Sequence, residues 1–124
     1  ILESACAGLA AEEGVDISGI RDSYEESKAA LGKGDYSQYA SQNRDFHSEI
    51  WAAAGNKKME NMIAELWNGL SMGNMVTEQE YAKISIEEHG RIMDAIAAGD
   101  GERAKKEMYA HIMRSRDDML TYYQ

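Results

Sequence analysis

Asn43-Arg44-Asp45-Phe46-His47 carries the first of the three histidines in this chain of 124 residues. The other two are His89 and His111, and each of the three falls on the apolar stripe of a different predicted helix. The stripes advance in steps of three and four residues, the spacing that keeps side chains on one helix face. They comprise Asn43, His47, Ile50 and Ala54; Ile86, His89, Met93 and Ile96; and Ala104, Met108, His111 and Ser115. The sequence therefore predicts that all three imidazoles point into the core.

These histidines have two possible roles, as core residues or as metal ligands. A single inward histidine is more often a core residue with satisfied hydrogen bonds. Here every histidine points inward, and Asn43 places an amide oxygen one helical turn before His47, which favours a metal site. Three imidazole nitrogens and one oxygen suit Zn²⁺, Ni²⁺ or another late divalent metal better than Mg²⁺ or Ca²⁺. We therefore predict one divalent metal ion, preferably zinc, bound by Asn43, His47, His89 and His111.

The chemistry of such a site leaves two functions open. An amide oxygen is a weak fourth ligand, so the metal could also accept an anionic small molecule. The same open position could activate water for hydrolysis. Glu49 and Glu88 lie near the ligands in sequence, but we expect both on solvated helix faces. A ligand-binding site is the preferred interpretation, and a small metal-dependent hydrolase is the alternative.

The composition restricts both the fold class and the partners. Proline is absent and valine is rare, so helix-favouring residues dominate the apolar content and predict an all-α domain. The net charge of −9 repels phosphate backbones, so we expect no DNA binding by this chain alone. The single cysteine, Cys6, excludes an internal disulfide and is expected to be a packed thiol. No apolar run reaches the roughly 20 residues that span a bilayer, which predicts a cytoplasmic protein with no membrane partner.

Turn and cap signals divide the chain into about six helices. The first is already in progress at Ile1, which suggests further chain before it, and Glu12-Glu13-Gly14 ends it. The second helix is capped by Asp16 or Ser18 and stopped by Gly32-Lys33-Gly34, and the third is capped by Asp35 and runs from about Tyr36 to Ala54. Asn56 caps the fourth helix, which is followed by a loop or frayed helix end from Ser71 to Lys83. The fifth helix runs from Ile84 to Ala98, and the sixth, capped by Asp100, reaches about Tyr122.

Two of these helices carry specific expectations. The fourth is predicted to be a core element, because its apolar face is broad: Met59, Met62, Ile63, Leu66, Trp67 and Leu70. The fifth and sixth form an antiparallel hairpin about the Gly99-Asp100 turn. His89 lies ten residues before Gly99 and His111 twelve after it, so at about 1.5 Å per residue their rings lie at nearly the same height.

A longer pattern resembles the FCD domain, the C-terminal effector-binding domain of the FadR subfamily of GntR-family bacterial transcription regulators. Matching residues extend from about Glu3 to the last helix. They include Asn43-x-x-Phe46-His47, Ala53-Ala54-Gly55-Asn56, Glu87-Glu88-His89-x-x-Ile92, Gly99-Asp100 and Met108-x-x-His111-Ile112. The resemblance implies that residues 1–124 form an antiparallel bundle around a cavity, with a divalent metal at its base and a carboxylate effector above. It places the metal positions on Asn43, His47, His89 and His111, the first being frequently aspartate in that family.

The resemblance also implies partners. Such regulators carry an N-terminal winged helix-turn-helix that reads a palindromic operator as a homodimer, and this chain contains no such segment. Operator DNA is therefore expected to be bound only through that missing domain. Family members often place arginines near the effector, but the stretch from Trp67 to Ala82 contains neither arginine nor lysine, so no effector-binding residue is carried over. The expected function is effector sensing by a transcription regulator.

Overall fold

The computed structural model describes residues 1–35, 37–70 and 79–122, and within these ranges it contains six helices and no strand. The predicted all-α class is confirmed. The helices are α1 (Leu2–Ala10), α2 (Ser18–Gly32), α3 (Tyr39–Ala53), α4 (Lys57–Leu70), α5 (Gln79–Ala97) and α6 (Gly101–Tyr122). In the described parts of the chain, no helix has both the length and the apolar character needed to cross a bilayer.

The short helix α1 lies at the centre of the packing and contacts α3, α4, α5 and α6. Its inward side chains are small: Cys6, Ala7 and Ala10 are almost completely buried. At Gly8 an added Cβ would lie 2.6 Å from Cε of Lys105 on α6, so a larger residue there would require the lysine side chain to move. Cys6 is a packed thiol, as predicted, and burial together with two nearby glutamates raises its pKa to about 11.

The remaining core is formed by the inward faces of the longer helices. α2 packs on α3 and α5, and α5 packs on α6. Large side chains from these helices are buried, among them Ile20, Phe46, Ile50, Trp51, Ile92 and Met108. The predicted stripes on α3, α5 and α6 therefore do face the interior.

The turn between α5 and α6 follows the prediction closely. Gly99 has φ of +72°, its N–H donates to the Ile96 carbonyl, and the Asp100 N–H donates to the Ala95 carbonyl. This is a Schellman ending, which requires the left-handed conformation that glycine adopts without strain. The Asp100 carboxylate then accepts a hydrogen bond from the Arg103 N–H at 3.1 Å and caps α6. Asn56 caps α4 in the same way through the Met59 N–H.

Three predicted boundaries were wrong. α3 begins at Tyr39 rather than Tyr36, because the Asp35 carboxylate accepts bonds from the N–H and hydroxyl of Ser37 and so forms a local turn; Tyr36 lies outside the described residues. α5 begins at Gln79, so residues 79–83 are helical, and residues 71–78 lie outside the described ranges.

The third wrong boundary is the C-terminal end of α1. α1 ends at Ala10, and Gly14, although its φ is +86°, lies four residues further on and does not cap it. Of the two proposed caps of α2, Asp16 accepts a hydrogen bond from the Ser18 N–H at 3.0 Å, whereas Ser18 is itself the first helical residue.

The expectation that α4 is a core element is confirmed only in part: Ile63 belongs to the buried core, and Met59, Ala64 and Trp67 pack against it. Among its described side chains only Ile63 is buried, and Met62 and Leu66 are 46% and 58% exposed. The side chain of Leu70 lies outside the described part of the structure. α4 packs on α3 and α1, and this leaves Met62 and Leu66 of its predicted apolar face exposed.

Candidate metal centre

Helices α3, α5 and α6 bring the three histidines together in the core. His47, His89 and His111 are 1%, 1% and 3% exposed, and one ring nitrogen of each lies within 4.8 Å of the others. Nε2 of His47 and Nε2 of His111 are 3.3 Å apart. Two imidazoles on one tetrahedral zinc have nitrogens about 3.3 Å apart, given bonds of about 2.0–2.1 Å. The spacing therefore suits two ligands of a single ion.

The predicted height match across the α5–α6 turn is confirmed by the rings themselves. The centroids of His89 and His111 are 4.8 Å apart. Phe46 stacks on His89 with ring centroids 4.1 Å apart and planes 14° from parallel, which restricts rotation of that imidazole. Ser85, one turn before His89, places its hydroxyl 3.5 Å from Nε2, at the long limit for a hydrogen bond.

Two carboxylates hold the outer nitrogens of two histidines. Nδ1 of His47 lies 2.9 Å from Glu3 Oε2, and Nδ1 of His111 lies 2.7 Å from Glu88 Oε1. A carboxylate accepts hydrogen bonds, so each Nδ1 carries the proton and each Nε2 presents a lone pair. Two lone pairs facing each other at 3.3 Å repel unless a proton or a metal cation lies between them.

Burial disfavours a proton on two of the three imidazoles, His89 and His111. Burial lowers the pKa of His89 well below its ordinary value, and the neighbouring His111 and His47 lower it further. Burial also lowers the pKa of His111, although its bond to Glu88 acts in the opposite direction. The lowered pKa values favour the neutral form of His89 and His111 at pH 7, and the neutral imidazole is the form that binds metals.

Asn43 supplies the fourth predicted donor. Its side-chain oxygen is buried and, among the described residues, has no hydrogen-bond partner. Buried polar atoms without a partner are rare in folded proteins and call for an explanation. Asn43 lies one turn before His47 on α3, and both residues line the same pocket as His111. A metal ligand is one role that would satisfy this oxygen.

Glu88 differs from the expectation of a solvated residue. Its side chain is 12% exposed, and it accepts hydrogen bonds from His111 and from the guanidinium of Arg114, which also pairs with Asp118. Burial raises the pKa of Glu88, but the bonds from His111 and Arg114 outweigh burial and lower it overall. Glu49 is exposed, as expected.

Sequence reasoning missed Glu3, Glu88 and Arg114 as parts of this centre. For Glu88 a signal was present in the sequence. The number of residues on either side of Gly99 places His89 at the height of His111, and it places the neighbouring Glu88 close to His111 as well. For Glu3 none was present, since 44 positions separate it from His47.

A cavity of about 360 Å³ adjoins the histidines, in agreement with the predicted ligand cavity. Asn43, His47 and His111 form part of its wall. Its other lining residues are Ile1, Leu2, Glu3, Ile63, Leu66, Trp67, Ile112 and Ser115. The ring of Trp67 lies against His47 with centroids 5.0 Å apart, so the apolar wall begins directly beside the imidazoles.

The chain is thus a helical bundle with a buried three-histidine cluster beside an apolar cavity, and comparisons with known proteins show its family. The FCD domain family matches residues 1–114, and the chain belongs to that family. The HTH-type transcriptional regulator LutR of Bacillus subtilis (strain 168) is 29% identical over 137 aligned positions. The alignment covers all of this chain and 60% of that relative. The resemblance to domains of GntR-family regulators is thus confirmed.

Proposed function

We propose that this chain is the effector-sensing domain of a GntR/FadR-type transcription regulator, and that Asn43, His47, His89 and His111 bind one divalent metal, preferably zinc. The observation that carries the proposal is the pair of carboxylate-anchored imidazoles whose Nε2 atoms face each other at 3.3 Å. The buried, unpartnered oxygen of Asn43 supports the fourth ligand. A nickel ion or another late divalent metal would suit the same donors.

The residues around the ligands each have a defined role in this proposal. Glu3 and Glu88 orient His47 and His111 and keep each Nε2 free to bind. Phe46 holds the plane of His89. The four donors are neutral, so the bound metal keeps its double positive charge and attracts a small carboxylate effector to the cavity.

We infer that the effector binds in the cavity, whose lining residues come from α1, α3, α4 and α6, so that its binding can bias the relative positions of these helices. In the whole regulator we propose that this change reaches an N-terminal winged helix-turn-helix, which binds operator DNA, and that the regulator works in the cytoplasm as a homodimer. The LutR relative, which is longer than this chain and named as an HTH-type regulator, supports that arrangement.

The hydrolase alternative is less favoured because of how the nearby carboxylates are used. A general base must be free to take a proton from a bound water. Glu3 is held by His47 and Trp51, and Glu88 by His111 and Arg114. Both carboxylates therefore serve as hydrogen-bond partners of other side chains.

Metal content is the direct test. After zinc loading and gel filtration, the chain should retain one zinc per molecule by elemental analysis. His89→Ala should lose it and should no longer be stabilised by added zinc, since metal binding to the folded state raises stability. Met93→Ala is the matched control, because Met93 is also buried on α5 and one turn away, so it should lose stability but keep zinc.

Stoichiometric zinc in folded His89→Ala, or no zinc in the wild-type chain, would contradict the metal proposal. Equal loss of zinc in Met93→Ala and His89→Ala would attribute the effect to general destabilisation instead.

A further inference from the structure

We propose that the ligand of the cavity is a monocarboxylate with an unbranched or lightly branched apolar tail, rather than a dicarboxylate or a polyhydroxy acid. This inference rests on the proposed function for the position of the carboxylate, at the histidine end of the cavity. It adds the chemical nature of the rest of the ligand, which the cavity walls determine.

Apart from the two histidines, Glu3, Asn43 and Ser115, the described wall of the cavity is aliphatic and aromatic. Leu2 of α1, Ile63, Leu66 and Trp67 of α4, and Ile112 of α6 surround the space with apolar surface. A ligand hydroxyl placed against this surface would lose its bonds to water without gaining a partner. An alkyl or aryl tail would instead gain from leaving water.

The exposure of Leu66 supports the same conclusion. Its side chain is 58% exposed although it lines the cavity, whereas Ile63, one turn earlier on α4, is buried. A bound tail would cover part of this side chain. The apolar face of α4 that we had expected in the core thus has a role at the cavity.

The charged groups among the described lining residues suit a ligand with one negative group. Among the described lining residues there is no lysine or arginine, and the one charged side chain is the carboxylate of Glu3. A second carboxylate on the ligand would lie among apolar groups with no cation to pair with it. One anionic group at the metal end is the number that this arrangement can neutralise.

The volume sets the size of the ligand. At the roughly 30 Å³ that a water molecule occupies in the liquid, a cavity of about 360 Å³ holds about a dozen non-hydrogen atoms. This suits an acid of medium length.

The test compares ligands of equal carbon number on the zinc-loaded chain by isothermal titration calorimetry. Hexanoate is the probe, adipate adds a second carboxylate at the far end, gluconate adds hydroxyls along the chain, and hexanamide removes the charge. Hexanoate should bind at least about tenfold more tightly than each of the other three, a conservative factor for apolar against polar groups in such a pocket. Adipate or gluconate binding as tightly as hexanoate would overturn the inference, and so would failure of hexanoate to bind.

A pair of variants on α4 tests the wall directly. Leu66→Gln should weaken hexanoate binding by about tenfold and reduce its preference over gluconate. Met62→Gln is the matched control, since Met62 is also exposed on α4 but does not line the cavity, and it should leave both affinities unchanged. An unchanged hexanoate preference in Leu66→Gln would exclude this wall as the source of selectivity.

The outcomes separate this inference from the proposed function. Hexanoate that binds zinc-free His89→Ala as well as the zinc-loaded chain would refute anchoring of the carboxylate by the metal, while the preference for an apolar tail would stand. Zinc-dependent binding that favours gluconate or adipate would refute the preference for an apolar tail, while anchoring of the carboxylate by the metal would stand.

Discussion

Asn43 is the residue at which the charge of the proposed site is decided. It offers a neutral oxygen, whereas an aspartate at this position would lower the net charge of the metal centre by one unit. Its oxygen is buried without a partner among the described residues, so a change of charge there cannot be absorbed by solvent. Substitution at this residue therefore separates metal affinity from effector affinity.

Asn43→Asp should tighten zinc binding by about tenfold, or roughly 1.4 kcal/mol, through added attraction to the metal. It should also weaken a carboxylate bound at the metal, because the centre attracts it less. Chelator competition measures the first effect and calorimetry with hexanoate the second. Asn43→Ala is the control, which should weaken zinc binding because the oxygen is removed.

Asn43→Asp has a different expected outcome if Asn43 does not bind the metal. If Asn43 is a core residue and no ligand, Asn43→Asp buries a carboxylate without a cation and destabilises the metal-free fold by a few kcal/mol. A metal-free form that melts clearly lower, with no gain in zinc affinity, would remove Asn43 from the ligand set.

At the scale of the helices, α1 is tied to the ligand-bearing α3 by one side chain. Glu3 accepts hydrogen bonds from Nδ1 of His47 at 2.9 Å and from Nε1 of Trp51 at 2.8 Å. These two donors lie one turn apart on α3, so Glu3 fixes both the orientation of a ligand and the position of α1. Metal binding at His47 is thereby linked to the helix at the centre of the bundle.

Glu3→Gln should weaken zinc binding by about tenfold, because loss of a carboxylate behind a metal-binding histidine lowers the basicity of the imidazole and loosens its orientation. The measurement is chelator competition at fixed pH, with melting curves of the metal-free form. Glu12→Gln provides the control, since Glu12 is exposed just beyond α1 and removes the same charge. Equal effects of the two substitutions would mean that Glu3 acts only through overall charge.

At the scale of the whole molecule, the net charge of −9 disfavours binding of the chain to negatively charged partners. Its 22 acidic residues outnumber the 13 basic ones, and DNA carries a dense line of negative charge. We therefore expect association with DNA to depend on a basic region outside these residues. The proposed division of labour between a sensing domain and a DNA-reading domain agrees with this balance.

We expect no retardation of duplex DNA by this chain in gel-shift experiments, with or without zinc and at low as well as moderate salt. A basic DNA-binding domain run beside it serves as the positive control. Retention of DNA that weakens as salt is added would show phosphate contacts and would contradict the expectation.

The sequence by itself determined the helices, the inward direction of the histidines and the level of His89 with His111. These features depend on local rules: the helical period, the side-chain caps at Asn56 and Asp100, and a fixed rise per residue on either side of Gly99. Helix boundaries were less well determined where a polar side chain can either cap a helix or form a local turn. Asp35 bonds to Ser37 and delays α3 instead of capping it.

Only the tertiary structure decided which groups surround the histidines and how α4 lies. The bond from His47 to Glu3 joins residues 44 positions apart, and the 3.3 Å approach of His47 to His111 joins residues 64 positions apart. Such contacts depend on how all the helices pack, and no local pattern encodes them. For the same reason the apolar face of α4 predicted burial but left Leu66 exposed, because burial of a face requires a neighbour as well as apolar residues.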